Sequence, residues 1–535
     1  MGDDEIRKVS LKSEHSSAPE VWKPSFNPWL IAASVMLATF MEVLDTSVAN
    51  VALPHIAGNL SATTSESTWV LTSYLVSNAI ILPAANWLGR YFGRKRFLIA
   101  CIVIFTLSSA LCGAAASLGM LLFARVLQGA GGGALQPIAQ AVLLESFPTE
   151  KRGSAMGVYG LGVVVAPIIG PTLGGWITDN YSWRWIFYIN IPIGILAVLM
   201  ANSFVEDPPY IRNQRPGRID YIGFGLMALG LATLQIVLDK GQEEDWFSSS
   251  FITCAAICAV VALVAFIIWE LRSKEPIVNL LVLANRNFAV GTALMTAMGL
   301  VLYATVALLP LFLQTLIGYP ALQSGLAVSP RGIGAVFSMV IVGRLIGNVD
   351  GRYLIMFGFL VLAYSTYLLA DIDLTISMES IVLPQVISGV AMGFIFVPLS
   401  VMAMGTLTPG QIGNATGIFN LMRNTGGSFG IAAVTTMLSR GAQTHQAAMV
   451  SHLTPYDPVF QQRLHELVAA FAARGNPVTA SQQAYGAIYR TLVEQATLLA
   501  YIDNFRLLAL LCLICVPVAV LFRKVKRGGA TPVMH

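Results

Sequence analysis

Charge is scarce in this chain. Only 11% of its 535 residues are Asp, Glu, Lys or Arg, against a hydrophobic share of 56% and a mean hydropathy of +0.69. Soluble domains carry about 25% charged residues, so a soluble globular protein is excluded and an integral membrane protein is expected. Basic tracts are missing too, and with a net charge of only +4 no nucleic-acid-binding surface is expected. Cysteine is sparse: the six lie at 101, 112, 254, 258, 512 and 515, all inside apolar runs. They build no disulfide framework. Cys254/Cys258 and Cys512/Cys515 have metal-like spacing, but buried thiols in apolar runs read as packing residues. The six histidines form no zinc motif. Without a phosphate-binding glycine loop the chain does not drive its own work with ATP. Met1 to Ser25 is polar and mixed in charge, unlike a cleavable signal peptide.

Long apolar runs are what remain. A crossing needs about 20 apolar residues, and fourteen candidates lie near 28–50, 68–88, 97–115, 119–143, 153–177, 184–204, 219–238, 250–271, 288–313, 323–343, 353–370, 380–404, 414–437 and 503–522. An even number puts both termini on one side. With the termini inside, 22 of the 32 Lys and Arg fall inside and six outside, which makes both termini cytoplasmic by the positive-inside rule. Glycines recur at a constant spacing of 260 residues: Gly129/Gly389, Gly133/Gly393, Gly153/Gly413, Gly157/Gly417 and Gly170/Gly430. Gly153-Ser-Ala-Met-Gly157 also echoes Gly413-Asn-Ala-Thr-Gly417. Parallel half repeats around a central site are a transporter design.

The expected fold is therefore an all-α membrane protein. A tail (1–27) leads into a six-helix half (28–204), two inserted helices (205–271), a second six-helix half (272–522) and a short tail (523–535). Within the second half, 438–502 is expected as one long outside loop. Its Gln461–Ala473 segment carries Leu464, Leu467, Val468 and Phe471 on one helical face. That loop reads either as a solvated cap or as a docking surface.

Leu122 to Gly175 organises the chemistry. Arg125 lies in an apolar helix, where a charge is costly and marks a functional path. Glycines spaced by four allow neighbouring helices to approach closely. Asp45 sits inside the first run, with Glu42 three residues before it on the same helical face. Burial disfavours the ionised carboxylate and a nearby arginine favours it, so such a group loads and releases a proton as its surroundings alternate. The other reading is a fixed pair with a buried arginine, and Arg125 itself reads equally as a donor to backbone carbonyls. Gly170-Pro171 removes a helical hydrogen bond and bends its helix, beside Gly174 and Gly175. Tyr74, Asn78, Gln136, Gln140, Tyr159, Gln385 and Asn420 are polar or aromatic groups within runs; they line a central substrate cavity or make interhelical hydrogen bonds. Arg423 reads as a packing or gating donor or as a ligand contact. Gly426-Gly-Ser428-Phe-Gly430 fits the hydrolase elbow pattern, but inside an apolar helix it lacks the strand–turn–helix setting and is a chance match.

From Trp29 to Arg523 the chain resembles the major facilitator superfamily, in particular its fourteen-span drug/proton antiporters of the EmrB/QacA type. Five segments carry the resemblance: Leu44-Asp45-Thr-Ser-Val-Ala-Asn50-Val-Ala-Leu-Pro54, Arg125-Val-Leu-Gln128-Gly129-Ala-Gly131, the antiporter segment ending Gly170-Pro171-Thr-Leu-Gly174-Gly175, Trp183 to Gly194 and Arg423 to Gly430. The long 438–502 segment is similar to the EmrB-like members. The resemblance implies a proton relay through Asp45 and Arg125, with Gln128 sharing the network. It also implies a bend at Gly170-Pro171 that seals the cytoplasmic path against leak. The loop between the second and third spans departs from the family pattern: Arg90 stands where an aspartate is usual, although the turn Gly93 and the cations Arg94 and Lys95 remain. Glu42 and Arg331 also lie outside the family pattern, where they tune substrate or proton binding.

The resulting expectation is a transporter, not an enzyme, in the bacterial inner membrane. It needs no cofactor, is driven by the proton gradient, and exports small hydrophobic or amphipathic compounds by alternating access. The alternative is dedicated transport of one metabolite class, such as a siderophore or a fatty acid. For a Gram-negative envelope the resemblance implies a periplasmic adaptor of the EmrA type and an outer-membrane channel as partners.

Overall fold

A chain in hydrocarbon must satisfy its backbone polar groups internally, and every regular element among the described residues is a helix. The structure is a computed structural model that describes residues 24–208, 220–451, 453–474 and 477–523. The expected N-terminal tail lies outside the described residues except for 24–27, the C-terminal tail except for 523, and the inserted segment over 209–219.

The first half comprises α1 (Pro28–Asn59), α2 (Thr64–Phe92), α3 (Arg94–Gly113), α4 (Leu118–Gly132), α5 (Leu135–Ser146), α6 (Arg152–Asn180), the short α7 (Trp185–Tyr188) and α8 (Asn190–Phe204). The inserted pair is α9 (Tyr221–Lys240) and α10 (Ser250–Arg272). The second half comprises α11 (Arg286–Thr315), α12 (Ala321–Val328), α13 (Pro330–Leu345), α14 (Gly351–Leu368), α15 (Met378–Met404), α16 (Pro409–Val450), α17 (Pro458–Arg474) and α18 (Pro477–Ala519). The pairs α4/α5, α7/α8 and α12/α13 each make one interrupted crossing. Thirteen segments of the described residues are long and apolar enough to cross a membrane. The remaining candidate, 414–437, lies in α16, whose Asn414, Asn420, Arg423, Asn424 and glycines leave it more polar than the others.

Local sequence explains the helix starts. Asn27 accepts from the backbone N–H of Trp29, and Thr63 with Glu66 closes a reciprocal cap on α2. Thr408 and Gln411 do the same for α16. Gly93, at φ +86°, makes the tight turn between α2 and α3 that a side chain would strain.

The expected outside loop 438–502 is helical over most of its length. α16 runs on to Val450, α17 covers Pro458–Arg474, and α18 begins at Pro477. Ala, Gln, Leu, Met, Arg and Glu make up about half of 438–450 and 477–502, and these are good helix formers. At 1.5 Å per residue, helices of 42 and 43 residues span roughly 63–65 Å, about twice a hydrocarbon core. The ends of α16 and α18 therefore stand clear of it with α17, tied by His445 Nε2 and Asp503 Oδ2 at 2.8 Å.

The 260-residue repeat is visible in space. Gly153 and Gly157 of α6 press on the backbone of α13: a Cβ on Gly153 would stand 2.9 Å from the Gly343 carbonyl oxygen, and one on Gly157 2.9 Å from that of Met339. Their partners Gly413 and Gly417 of α16 press on α2, against Asn86 and the Leu82 carbonyl. The halves thus meet along two related glycine seams. The inserted α9 rests on α2 and α16. Thr72 donates to Asp239, Lys240 to Thr68, and Gln235 and Ser428 exchange hydrogen bonds at 3.1 and 3.2 Å. α10 leaves Ile257, Val260, Val261, Val264 and Ile267 exposed, an apolar face suited to lipid.

Candidate functional site

Asp45, halfway along α1, is 2% exposed and Arg125 of α4 is fully buried. Arg125 Nη1 donates to Asp45 Oδ2 at 2.6 Å and to Gln128 Oε1 at 2.8 Å. Its Nε donates to the Val70 carbonyl at 3.0 Å, so Arg125 pairs with a carboxylate and serves a backbone carbonyl at once. The other carboxylate oxygen of Asp45 accepts from Gln128 Nε2 at 2.9 Å and from Asn190 Nδ2 at 2.7 Å. The guanidinium lies 4.3 Å from the centroid of the Tyr74 ring and 5.7 Å from that of Phe187.

The glycines of α4 make this geometry accessible. A Cβ on Gly129 would stand 2.4 Å from the Tyr74 carbonyl oxygen, and one on Gly133 2.5 Å from that of Asn78, so α2 lies directly on α4. On the opposite side, α6 packs on α1. A Cβ on Gly170 would stand 2.3 Å from Ser47 Oγ, and one on Gly174 3.0 Å from the Val48 carbonyl oxygen; Gly175 faces Val51 at ordinary contact distance. Pro171 has no N–H for the Pro167 carbonyl, and Ser47 Oγ donates to that carbonyl instead at 3.0 Å.

Glu42 does not join Asp45, although the two share a helix face. It accepts from Tyr74 Oη at 3.1 Å, Asn78 Nδ2 at 3.2 Å and Gln136 Nε2 at 2.6 Å. Gln136 accepts from Arg423 of the second half, and its backbone carbonyl accepts from Tyr159 Oη at 3.3 Å. Asn420 Nδ2 donates to Gln140 Oε1 at 2.6 Å, and the Tyr159 ring stacks on Phe396 at 6.0 Å. The residues expected around a cavity are thus buried against one another in this conformation, linking the halves at mid-depth. Gln385 is the exception. It sits on α15, and no hydrogen bond connects it with this group; its amide nitrogen and oxygen are both buried without a partner.

Gly93, Arg94 and Lys95 lie apart, at the junction of α2 and α3. Arg94 binds Glu145 of α5 through Nη1 at 2.5 Å and Nη2 at 3.3 Å. Lys95 donates from its backbone N–H to Asp207 Oδ1 at 2.8 Å and from Nζ to the Asn202 carbonyl at 2.6 Å. Acidic partners from elsewhere thus serve the loop that carries Arg90 in place of an aspartate. A small cavity opens here, between Asn86, Gly89, Arg94, Pro137, Ala141 and Gly413.

Asn190 and Ser109 are members of the Asp45 network that the sequence reading did not single out. Ser109 accepts from Asn190 at 3.0 Å and donates to the Phe187 carbonyl at 2.8 Å. The available signal was Asn190 standing in an apolar run inside the segment Trp183 to Gly194.

Comparison with known proteins identifies the family. The chain is 40% identical over 440 residues to the multidrug export protein EmrB of Haemophilus influenzae, covering 82% of this chain and 86% of that one. It is 38% identical over 489 residues to the fatty acid resistance protein FarB of Neisseria gonorrhoeae, with 91% and 94% covered. The crystal structure of the human organic anion transporter MFSD10 (TETRAN) shares the fold at a TM-score of 0.56 and 13% identity, over 91% of this chain and 100% of that one. Residues 35–431 match the profile of the Major Facilitator Superfamily. This multi-pass membrane protein belongs to the major facilitator superfamily.

Proposed function

We propose that the protein is a proton-coupled exporter of hydrophobic and amphipathic compounds, with Asp45 as the coupling carboxylate. The observation that carries this reading is the buried Asp45–Arg125 pair held by Gln128 and Asn190. A buried pair is strongly destabilised when one partner loses its charge. Protonating Asp45 would cancel the attraction across α1 and α4, and Arg125 would turn further to the Val70 carbonyl and the Tyr74 face. Loading therefore changes the packing of the first half, which rocks against the second by alternating access. Glu42, Gln136, Gln140, Asn420 and Arg423 lie where the halves meet and would face the substrate once they part. The Gly170-Pro171 bend would keep α6 on α1 and limit leak.

Multidrug export in the EmrB relatives supports a broad substrate range. The FarB relative supports a second reading in which the range narrows to fatty acids. The inner membrane, cytoplasmic termini, and an adaptor of the EmrA type with an outer-membrane channel complete the proposal. The projecting α17 and start of α18 would receive the adaptor; they expose Val459, Tyr485 and Tyr489.

The test uses purified protein in proteoliposomes under an imposed proton gradient, with internal pH followed as substrates are added. Lipophilic cations, neutral drugs and fatty acids are supplied separately. Substrate-triggered proton movement, lost in Asp45→Asn, is the expected result, and a response to fatty acids alone selects the narrow reading. Uphill pumping by Asp45→Asn would remove Asp45 from the coupling role.

A further inference from the structure

The 260-residue repeat extends from the glycines to the site itself. Its counterpart of Asp45 is Thr305, of Arg125 is Gln385, and of Gln128 is Ser388, beside the matched glycines Gly129 and Gly389. At these positions the second half has neither the carboxylate nor the arginine of the first. A cation nevertheless comes from another helix. Arg331 of α13 donates from Nη2 to Thr305 Oγ1 at 3.1 Å.

Arg331 is 1% exposed, and Gln385 and Ser388 are 0% and 2% exposed. Arg331 Nε and Nη1, both amide atoms of Gln385 and Ser388 Oγ are buried without hydrogen-bond partners. No ion pair among the described residues involves Arg331. The two helices are in backbone contact here: a Cβ on Gly389 would meet the Arg331 carbonyl oxygen, and Gln385 lies one turn earlier on the same face of α15. An arginine held in a dry interior without an anion is the costly arrangement that proteins avoid. Its unused N–H groups, with amide and hydroxyl donors on the packed helix, form a donor set suited to one negative charge.

We propose that Arg331, Thr305, Gln385 and Ser388 form a buried binding site for a small monoanion, either a halide ion or the carboxylate head of a bound amphiphile. The site replaces the Asp45 carboxylate of the first half with an exchangeable anion in the second. It keeps Arg331 neutralised while the carboxylate of the first half cycles.

The test is thermal unfolding of the full-length protein in a non-ionic detergent. Chloride, or octanoate below its micelle concentration, is titrated into chloride-free HEPES buffer at matched ionic strength. A ligand of the native state raises Tm, here by about 2–4 °C at saturation. A rise with chloride identifies a free ion, and a rise with octanoate alone identifies an amphiphile head. Arg331→Met should lose the response. Thr305→Asp, which restores a carboxylate at the repeat-related position, should reach the anion-saturated Tm without added anion and respond no further, and it decides the matter if Arg331→Met does not fold. Indifference of the wild type to both anions, or an undiminished response in Thr305→Asp, would overturn the proposal.

Discussion

Arg125 is held from several directions at once, by a carboxylate, an amide oxygen, a backbone carbonyl and two aromatic faces. Removing it strands Asp45. Arg125→Met is therefore expected to destabilise the protein by about 3–5 kcal/mol, read as a lower Tm in detergent. Adding Asp45→Asn should recover most of that loss, and an Arg125→Met protein as stable as wild type would refute the pairing energetics. Tyr74 separates two contributions. Tyr74→Phe keeps the ring over Arg125 but takes a hydroxyl from Glu42, at a cost of about 1 kcal/mol. Tyr74→Leu also loses the ring, and should cost a further ~0.5–2 kcal/mol; equal unfolding midpoints for the two variants would mean the ring contributes nothing. Asp45 and Arg125 were legible in the sequence because a charge in an apolar run is conspicuous. Asn190 was not, because a neutral amide in such a run is ordinary until its partner is known. The division of Glu42 from Asp45 was equally hidden. Three residues place two side chains on one face, yet the partners that capture them come from α2, α4, α5 and α8, and helical spacing carries no record of those.

Helix packing around α6 depends on what is missing from it. Pro171 leaves the Pro167 carbonyl without its helical donor, and Ser47 supplies one from α1. Ser47→Ala should cost about 1–3 kcal/mol by stranding that carbonyl, seen as a lower Tm and as proton leak in substrate-free proteoliposomes. Gly170→Ala places a methyl against the Ser47 side chain and should cost about 1–3 kcal/mol through overpacking. If Ser47→Ala proteoliposomes remain proton-tight, the Ser47 contact with α6 has no sealing function. Helix existence was readable from apolar length, and the missing helical donor in α6 from Pro171. The extensions of α16 and α18 were not, since their Ala- and Gln-rich segments are polar enough to read as loop while their helical propensity is high.

For the whole molecule the repeat predicts where the halves hold together. Ser154 Oγ lies 3.4 Å from the Gly343 carbonyl oxygen, and a Cβ on Gly343 would stand 3.1 Å from Ser154 Cα. A disulfide between Ser154→Cys and Gly343→Cys should form readily and stop transport until reduced; full transport in the oxidised protein would show that this seam does not open in the cycle. The two glycine seams join the halves mainly through short-range attraction between backbones, with few polar bonds across them. Such a surface behaves as a hinge plate: it separates without leaving many groups needing new partners. Arg423 on Gln136 and Asn420 on Gln140 are different in kind, because each must be broken and resolvated when the halves part. They act as latches, and weakening either one is expected to speed opening more than a change in the glycine seams does.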